Sequence, residues 1–354
     1  VVGTRLDGGR VGAARAVIDP VFLDTPMYPC DALGRALGCT VSIKLETANP
    51  VRSFKGRGTE LVASMLAGQG RTDVVCASAG NLGQALAWSA GRRGIHVTVV
   101  ASRWAPVAKL DRIRALGAAL ELVDGDFEAA RERATSIAQR DGVRLVEDSR
   151  DLETCEGAAT IGLELAAGAA QAGAAQAGAA QAGAAQAGAA QAGAAQAGAA
   201  QAGAAQFDTV LIALGGGAMA TGVGHVLKTH APAAEVICVQ PSGAPAMTLS
   251  WRARRVVTTD SADTIADGVA GRYPIPAVLD DLLVVADDAV LVQEASIVAG
   301  LRLLLEHAGL VVEPSAALGV AAVLEDRERF AGRHVVVIIC GSNVDLDAYR
   351  RWIS

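Results

Sequence analysis

In the stretch NPVRSFKGRGTE, Asn49 to Glu60, a lysine stands between an aromatic residue and a glycine, where an apolar strand pattern gives way to a helical one. Lys55 is flanked by Phe54 and by the charges of Arg52 and Arg57. An apolar neighbour and nearby positive charge both disfavour an ammonium, whose ordinary pKa is about 10.4, and so favour an amine that can attack a carbonyl. Three strand-to-helix corners carry further groups. TVLIAL runs into GGGAMATG, which puts Gly215, Gly216, Gly217, Ala218 and Met219 at a helix start, where free N–H groups bind phosphate. VVCA runs into SAGNLGQA, with Ser78, Ala79, Gly80 and Asn81 at the turn. The N–H groups there suit a carboxylate, or else Ser78 or Asn81 simply caps the helix. HVVVIIC ends in CGSNVD, which places Cys340 at the carboxyl end of a strand, the edge where doubly wound sheets bind ligands.

An amine, a phosphate cup, a carboxylate cup and a thiol on one edge match pyridoxal phosphate, which forms a Schiff base with lysine and seats its phosphate on a helix N-terminus. The main competitor is a dinucleotide fold, because Gly215, Gly217 and Ala220 satisfy G-x-G-x-x-G/A. Such a site needs an acid at the end of the next strand to hold the ribose, and EVICVQ ends there in Gln240. A nucleoside-triphosphate loop is excluded, since G-x-x-x-x-G-K-[ST] does not occur.

The elements that must position these groups are apolar, β-branched runs at 41–46, 74–77, 97–100, 144–147, 209–214, 235–240 and 334–340, separated by amphipathic or alanine-rich helical stretches. Continuous rather than alternating apolarity marks parallel strands covered on both faces. A large unit of 1–72 and 151–354, with a smaller βα unit of 73–150 inserted, is expected. Residues 166–206 form an AGAAQ repeat in which Gln recurs every five positions from Gln171 to Gln206. A five-residue step turns a helix by about 140° beyond a whole turn, so no single face is built. Glycine in each repeat costs helix about 1 kcal/mol, and the tract reads as a tolerated insertion in a frayed or disordered state.

The 354 residues carry 31 Lys and Arg against 37 Asp and Glu, net −6, without a long run of like charge, which excludes a nucleic-acid or anionic-membrane footprint. Six cysteines form no CxxC pair and no apolar run reaches the ~20 residues of a membrane span. The N-terminus lacks the apolar stretch of a signal peptide, so a reduced, cytoplasmic protein with a small-molecule partner is expected. The five histidines are scattered, without metal-ligand spacing.

Taken in order, RSFKGRG, SAGNLGQA, GGGAMATG, TIADGVA, VEPSAA and CGSNVD resemble fold-type II pyridoxal-phosphate enzymes, most closely the serine/threonine dehydratase and serine racemase group. The resemblance covers nearly the whole chain, including ARAVIDPVFLDTPM near its start. It implies an α/β fold like that of the tryptophan synthase β chain, with two doubly wound open twisted sheets covered by helices and the AGAAQ tract inserted. It implies that Lys55 carries the cofactor and moves the Cα proton, that Phe54 packs by the ring and that Asn81 binds the ring hydroxyl. Gly215, Gly216, Gly217, Ala218 and Met219 would hold the phosphate, and Cys340 would face the pyridine nitrogen. Ser78, Ala79, Gly80 and Leu82 would line the substrate carboxylate site. Arg52 either neutralises charge or clamps a second substrate carboxylate, in which case a hydroxy diacid is favoured.

Three positions depart from the group: Leu82 replaces the usual histidine, and Val51 with Arg52 replaces Thr-Gly. Gln240 and Ala246 stand where metal-binding members have acids, so no metal is expected. Ala79 stands where racemases have a serine, so elimination rather than inversion is expected. The resemblance implies a lyase that removes water and then ammonia from threonine or serine, with an amino-acid substrate and a homodimer. Other reactions on the same cofactor, such as β-replacement or racemisation, are the alternatives. A regulatory domain after the last motif is not expected.

Overall fold

The computed structural model describes residues 3–168 and 207–354, so most of the AGAAQ tract, from 169 to 206, lies outside the described residues. Ten strands form two sheets: β1 Met27–Pro29, β2 Thr40–Leu45, β3 Asp73–Ala77, β4 His96–Ser102, β5 Ala119–Val123, β6 Arg144–Val146, β7 Thr209–Ala213, β8 Glu235–Pro241, β9 Asp288–Val292 and β10 His334–Ile339. The larger sheet has the order β1-β2-β10-β7-β8-β9 and the smaller β5-β4-β3-β6. Every pairing is parallel except that of β1 with β2. Parallel strands need helical crossovers, which cover both faces and bury the central strands. Accordingly Val335–Ile339, Val210–Ile212 and Val236–Val239 are almost fully enclosed.

The helix Lys55–Gly68, which follows β2, and the helix over 152–168 are tied by buried charge. Arg57 is fully buried and donates Nε to Glu46 at 2.8 Å and Nη1 to Glu164 at 2.6 Å. Lys44 of β2, also buried, donates to Thr25 O at 2.7 Å and pairs with Glu164. Two cations meet two carboxylates, so no net charge is buried, as burial of ions requires. Among the described residues no helix is long and apolar enough to cross a membrane.

Candidate active site

The carboxyl ends of β3, β6, β7 and β10 open onto one cavity of about 930 Å³, as does the start of the helix Lys55–Gly68. Lys55 is the first helical residue. The loop before it is fixed by Asn49, whose Oδ1 accepts from Val51 N–H at 3.1 Å and whose Nδ2 donates to Glu46 O at 2.9 Å. Phe54 N–H donates to Cys340 O at 3.1 Å, which ties the lysine corner to the end of β10. Lys55 Nζ lies 4.5 Å from the centre of the Phe54 ring and donates to Asp148 Oδ2 at 2.6 Å.

The glycine corner after β7 leads into the helix Ala218–His230, with Gly217 before its first turn at φ 105°. A Cβ on Gly217 would sit 2.5 Å from Val278 Cγ1, and one on Gly216 would sit 2.6 Å from Ser149 Oγ. Only glycine fits this cradle, which leaves backbone and a helix N-terminus to meet an anion. One expected donor is engaged: Ala218 N–H donates to Ser149 Oγ at 3.0 Å. Ser149 is fully buried with φ 67°, and its N–H donates to Thr154 Oγ1 at 3.0 Å. Left-handed backbone at a buried non-glycine residue is strained and is found most often at functional sites.

At the third corner the helix Asn81–Gly91 has Gly80 as its N-cap and no side-chain cap, so neither Ser78 nor Asn81 serves as one. Ser78 Oγ instead accepts Gly80 N–H at 3.2 Å. Asn81 is locked from two sides: Nδ2 donates to Glu313 Oε1 at 2.8 Å, and Oδ1 accepts from Asn343 Nδ2 at 2.7 Å. Ser315 Oγ also donates to Glu313 Oε1, at 2.9 Å, and Cys340 Sγ lies 4.0 Å from Ser315 Oγ. Burial, then the nearby Glu313, pushes the Cys340 thiol up to about 12, and burial likewise raises the Glu313 carboxyl. Cys340 is therefore a neutral thiol.

Phe54, Lys55, Ser78, Ala79, Gly80, Asn81, Leu82, Gly215 to Met219 and Cys340 all line the cavity. Arg52 does not: it is exposed, with left-handed backbone at φ 52°, and its carbonyl accepts from Ser342 N–H at 2.9 Å. Arg57 is turned instead to Glu46 and Glu164, with which it is ion-paired. Asp148, Ser149, Glu313, Ser315 and Asn343 were not assigned roles from sequence. VEPSAA and CGSNVD contain three of them, and the first two follow β6, whose carboxyl end lies on the same edge as the other corners. Gln240 and Ala246 are fully buried, and Gln240 Oε1 accepts Thr248 N–H at 2.8 Å. Among the described residues no cluster of three His, Cys, Asp or Glu is arranged for a metal.

An α/β protein that brings a lysine amine, a glycine cradle at a helix start and a neutral thiol to one cavity is built to hold a phosphorylated carbonyl cofactor. The chain matches the pyridoxal-phosphate dependent enzyme family over residues 18–341 and belongs to it. The dinucleotide alternative ends there. The chain is 29% identical over 342 residues to an L-threonine ammonia-lyase of Thermotoga maritima, covering 96% of this chain and 76% of that one. It is 28% identical over 341 residues to a beta-hydroxyaspartate dehydratase of Paracoccus denitrificans, covering 95% of each. Threonine deaminase isoform 2 of Solanum lycopersicum has the same fold, with a TM-score of 0.80 at 26% identity over 99% of this chain and 89% of that one.

Proposed function

We propose that this chain is an ammonia-lyase for a β-hydroxy amino acid, L-threonine or L-serine, giving a 2-oxo acid and ammonia. The observation that carries the reading is the convergence of Lys55, the cradle of Gly215–Met219 and the neutral Cys340 on one cavity. Pyridoxal phosphate, when bound, supplies an aldehyde that condenses with amines and a conjugated ring that draws electrons from Cα. Gly215, Gly216, Gly217, Ala218 and Met219, with Ser149, would hold its phosphate. Asn81, fixed by Glu313 and Asn343, would meet the ring hydroxyl, and Cys340 the ring nitrogen. Lys55 takes the proton from Cα. A thiol is a poor hydrogen-bond partner, so the site withdraws electrons weakly and favours prompt loss of the β-hydroxyl over a long-lived charge at Cα. The turn at Ser78, Ala79 and Gly80, with Leu82 beside it, receives the substrate carboxylate.

Likeness to a hydroxyaspartate dehydratase favours a diacid as second reading. Against it, the basic side chains lining the cavity are ion-paired: Lys55 with Asp148, Lys109 with Asp267, Arg131 with Glu128, Arg150 with Glu147 and Arg272 with Asp126. Each would have to leave an acid in order to clamp a second carboxylate. The test is the visible absorption of the purified protein with pyridoxal phosphate, borohydride reduction with peptide mapping, and a screen of L-threonine, L-serine and 3-hydroxyaspartate for ammonia, 2-oxo acid and the D-enantiomer. A label on Lys55 and ammonia from the monocarboxylic substrates are expected. Absence of the label, or accumulation of D-serine as fast as ammonia, overturns the reading.

A further inference from the structure

Asp148 is a cavity-lining acid with no part in the roles above. It stands two residues beyond β6, between strand and helix, and its Oδ2 accepts from Lys55 Nζ at 2.6 Å. Its Oδ1 is buried without a hydrogen-bond partner, and among the described residues Lys55 is its one ion-pair partner. The backbone beneath it is clamped, since Ser149 O accepts from Arg5 at 3.3 Å and Ser149 N–H is held by Thr154. A carboxylate so fixed, with one oxygen on the catalytic amine and one unused, is placed to exchange protons with that amine.

We propose that Asp148 is the general acid that carries the Cα proton to the departing β-hydroxyl, an inference that rests on the elimination reading. Lys55 Nζ, as the amine, takes the proton from Cα and passes it across the short contact to Asp148. Asp148 gives it to the β-oxygen as the Cβ–O bond breaks. The C–H electron pair becomes the second bond between Cα and Cβ, the C–O pair leaves with the oxygen as water, and Asp148 is again a carboxylate. No outside proton is consumed. Hydroxide is a poor leaving group, because water is a very weak acid, so the acid matters for a hydroxyl and not for a halide.

The experiment uses the cofactor-loaded enzyme and Asp148→Asn, which keeps the shape and loses the proton. Borohydride labelling of Lys55 is expected at the wild-type stoichiometry. Turnover of L-serine is expected to fall by about 100-fold or more, the span of a general acid, while β-chloro-L-alanine, whose chloride leaves unprotonated, stays within about threefold. In deuterated water the variant should return L-serine carrying deuterium at Cα, because proton removal persists when departure is blocked. Asp148→Glu, which still carries a proton, should recover part of the serine rate. Equal losses on both substrates, unchanged serine turnover, or failure of the Asn variant to take up cofactor would each overturn the proposal. A wild-type enzyme that gives no Lys55 label would instead refute the function itself.

Discussion

Cys340 brings a neutral thiol to the cavity. Its thiol is pushed up to about 12 by burial and by Glu313, so it is neutral through the physiological range. A free thiol titrates near 8.5, so the stability this burial contributes is fully present below about pH 8.5 and is lost as pH rises towards the folded value. Cys340 should resist alkylation in the folded enzyme at about pH 8 and react once unfolded. Mass spectrometry of the peptide checks this, and rapid native labelling would contradict it. Lys55, the glycine corner and Cys340 were legible in the sequence because a strand end running into a helix fixes a residue at the sheet edge whatever the rest of the chain does. Arg52 and Arg57 misled because proximity in sequence is not proximity in space. Residues two apart on a helix point about 200° apart, so Arg57 leaves the side where Lys55 stands, and the left-handed backbone at Arg52 accompanies an exposed side chain. Asp148, Ser149 and Glu313 act through contacts with partners 69 to 232 residues away, for which no local pattern exists.

Among the elements, the three strands that escaped notice, β1, β5 and β9, are all sheet edges, although β6, an edge as well, was read. β1 is three residues long and ends in Pro29, and β5 is interrupted by Glu121, so neither apolar run stands out, whereas the Ala289–Val292 run of β9 has no such break. The helix over 152–168, by contrast, is held by charge. Burial would raise the Glu164 carboxyl, but hydrogen bonding and charge from Arg57, followed by Lys44, outweigh it and hold the group down at about 2. A depressed carboxylate contributes stability that is present above its unfolded value, near 4.3, and lost as pH falls through the folded one. Acid unfolding should therefore steepen between about pH 4 and 2 in the wild type. Glu164→Gln should lower stability at neutral pH by about 3 kcal/mol, since it leaves buried cations short of a partner, and should flatten that acid limb. Denaturant unfolding across pH measures both; a variant as stable as the wild type would show that the cluster is energetically idle.

At the scale of the molecule, two features bear on behaviour without touching the chemistry. The AGAAQ tract joins two anchored points, Leu165 and Phe207, both buried in the core. Its sequence builds no apolar face, and closing a loop costs entropy that grows only slowly with length. Replacing 169–206 with a short Gly/Ser loop is therefore expected to leave turnover within a few-fold and stability within about 1 kcal/mol. Loss of folding in that variant would make the tract structural.

The second feature is the cavity mouth, where two ion pairs join the smaller sheet's surroundings to the segment around 267–272: Lys109 with Asp267, and Arg272 with Asp126 at 2.5 Å. Both acids are more than half exposed, so each pair contributes at most about 1 kcal/mol and is screened within about 10 Å by ordinary salt. That is too little to shape the fold, but all four side chains line the cavity and set the charge a substrate meets there. Raising salt should change wild-type kcat/KM by up to about fivefold, the equivalent of 1 kcal/mol, while Asp126→Asn with Asp267→Asn should leave melting temperature nearly unchanged and abolish the salt dependence. Kinetics of both proteins over a salt series decide the matter. A double variant that keeps the wild-type salt response would show that the pairs merely decorate the rim.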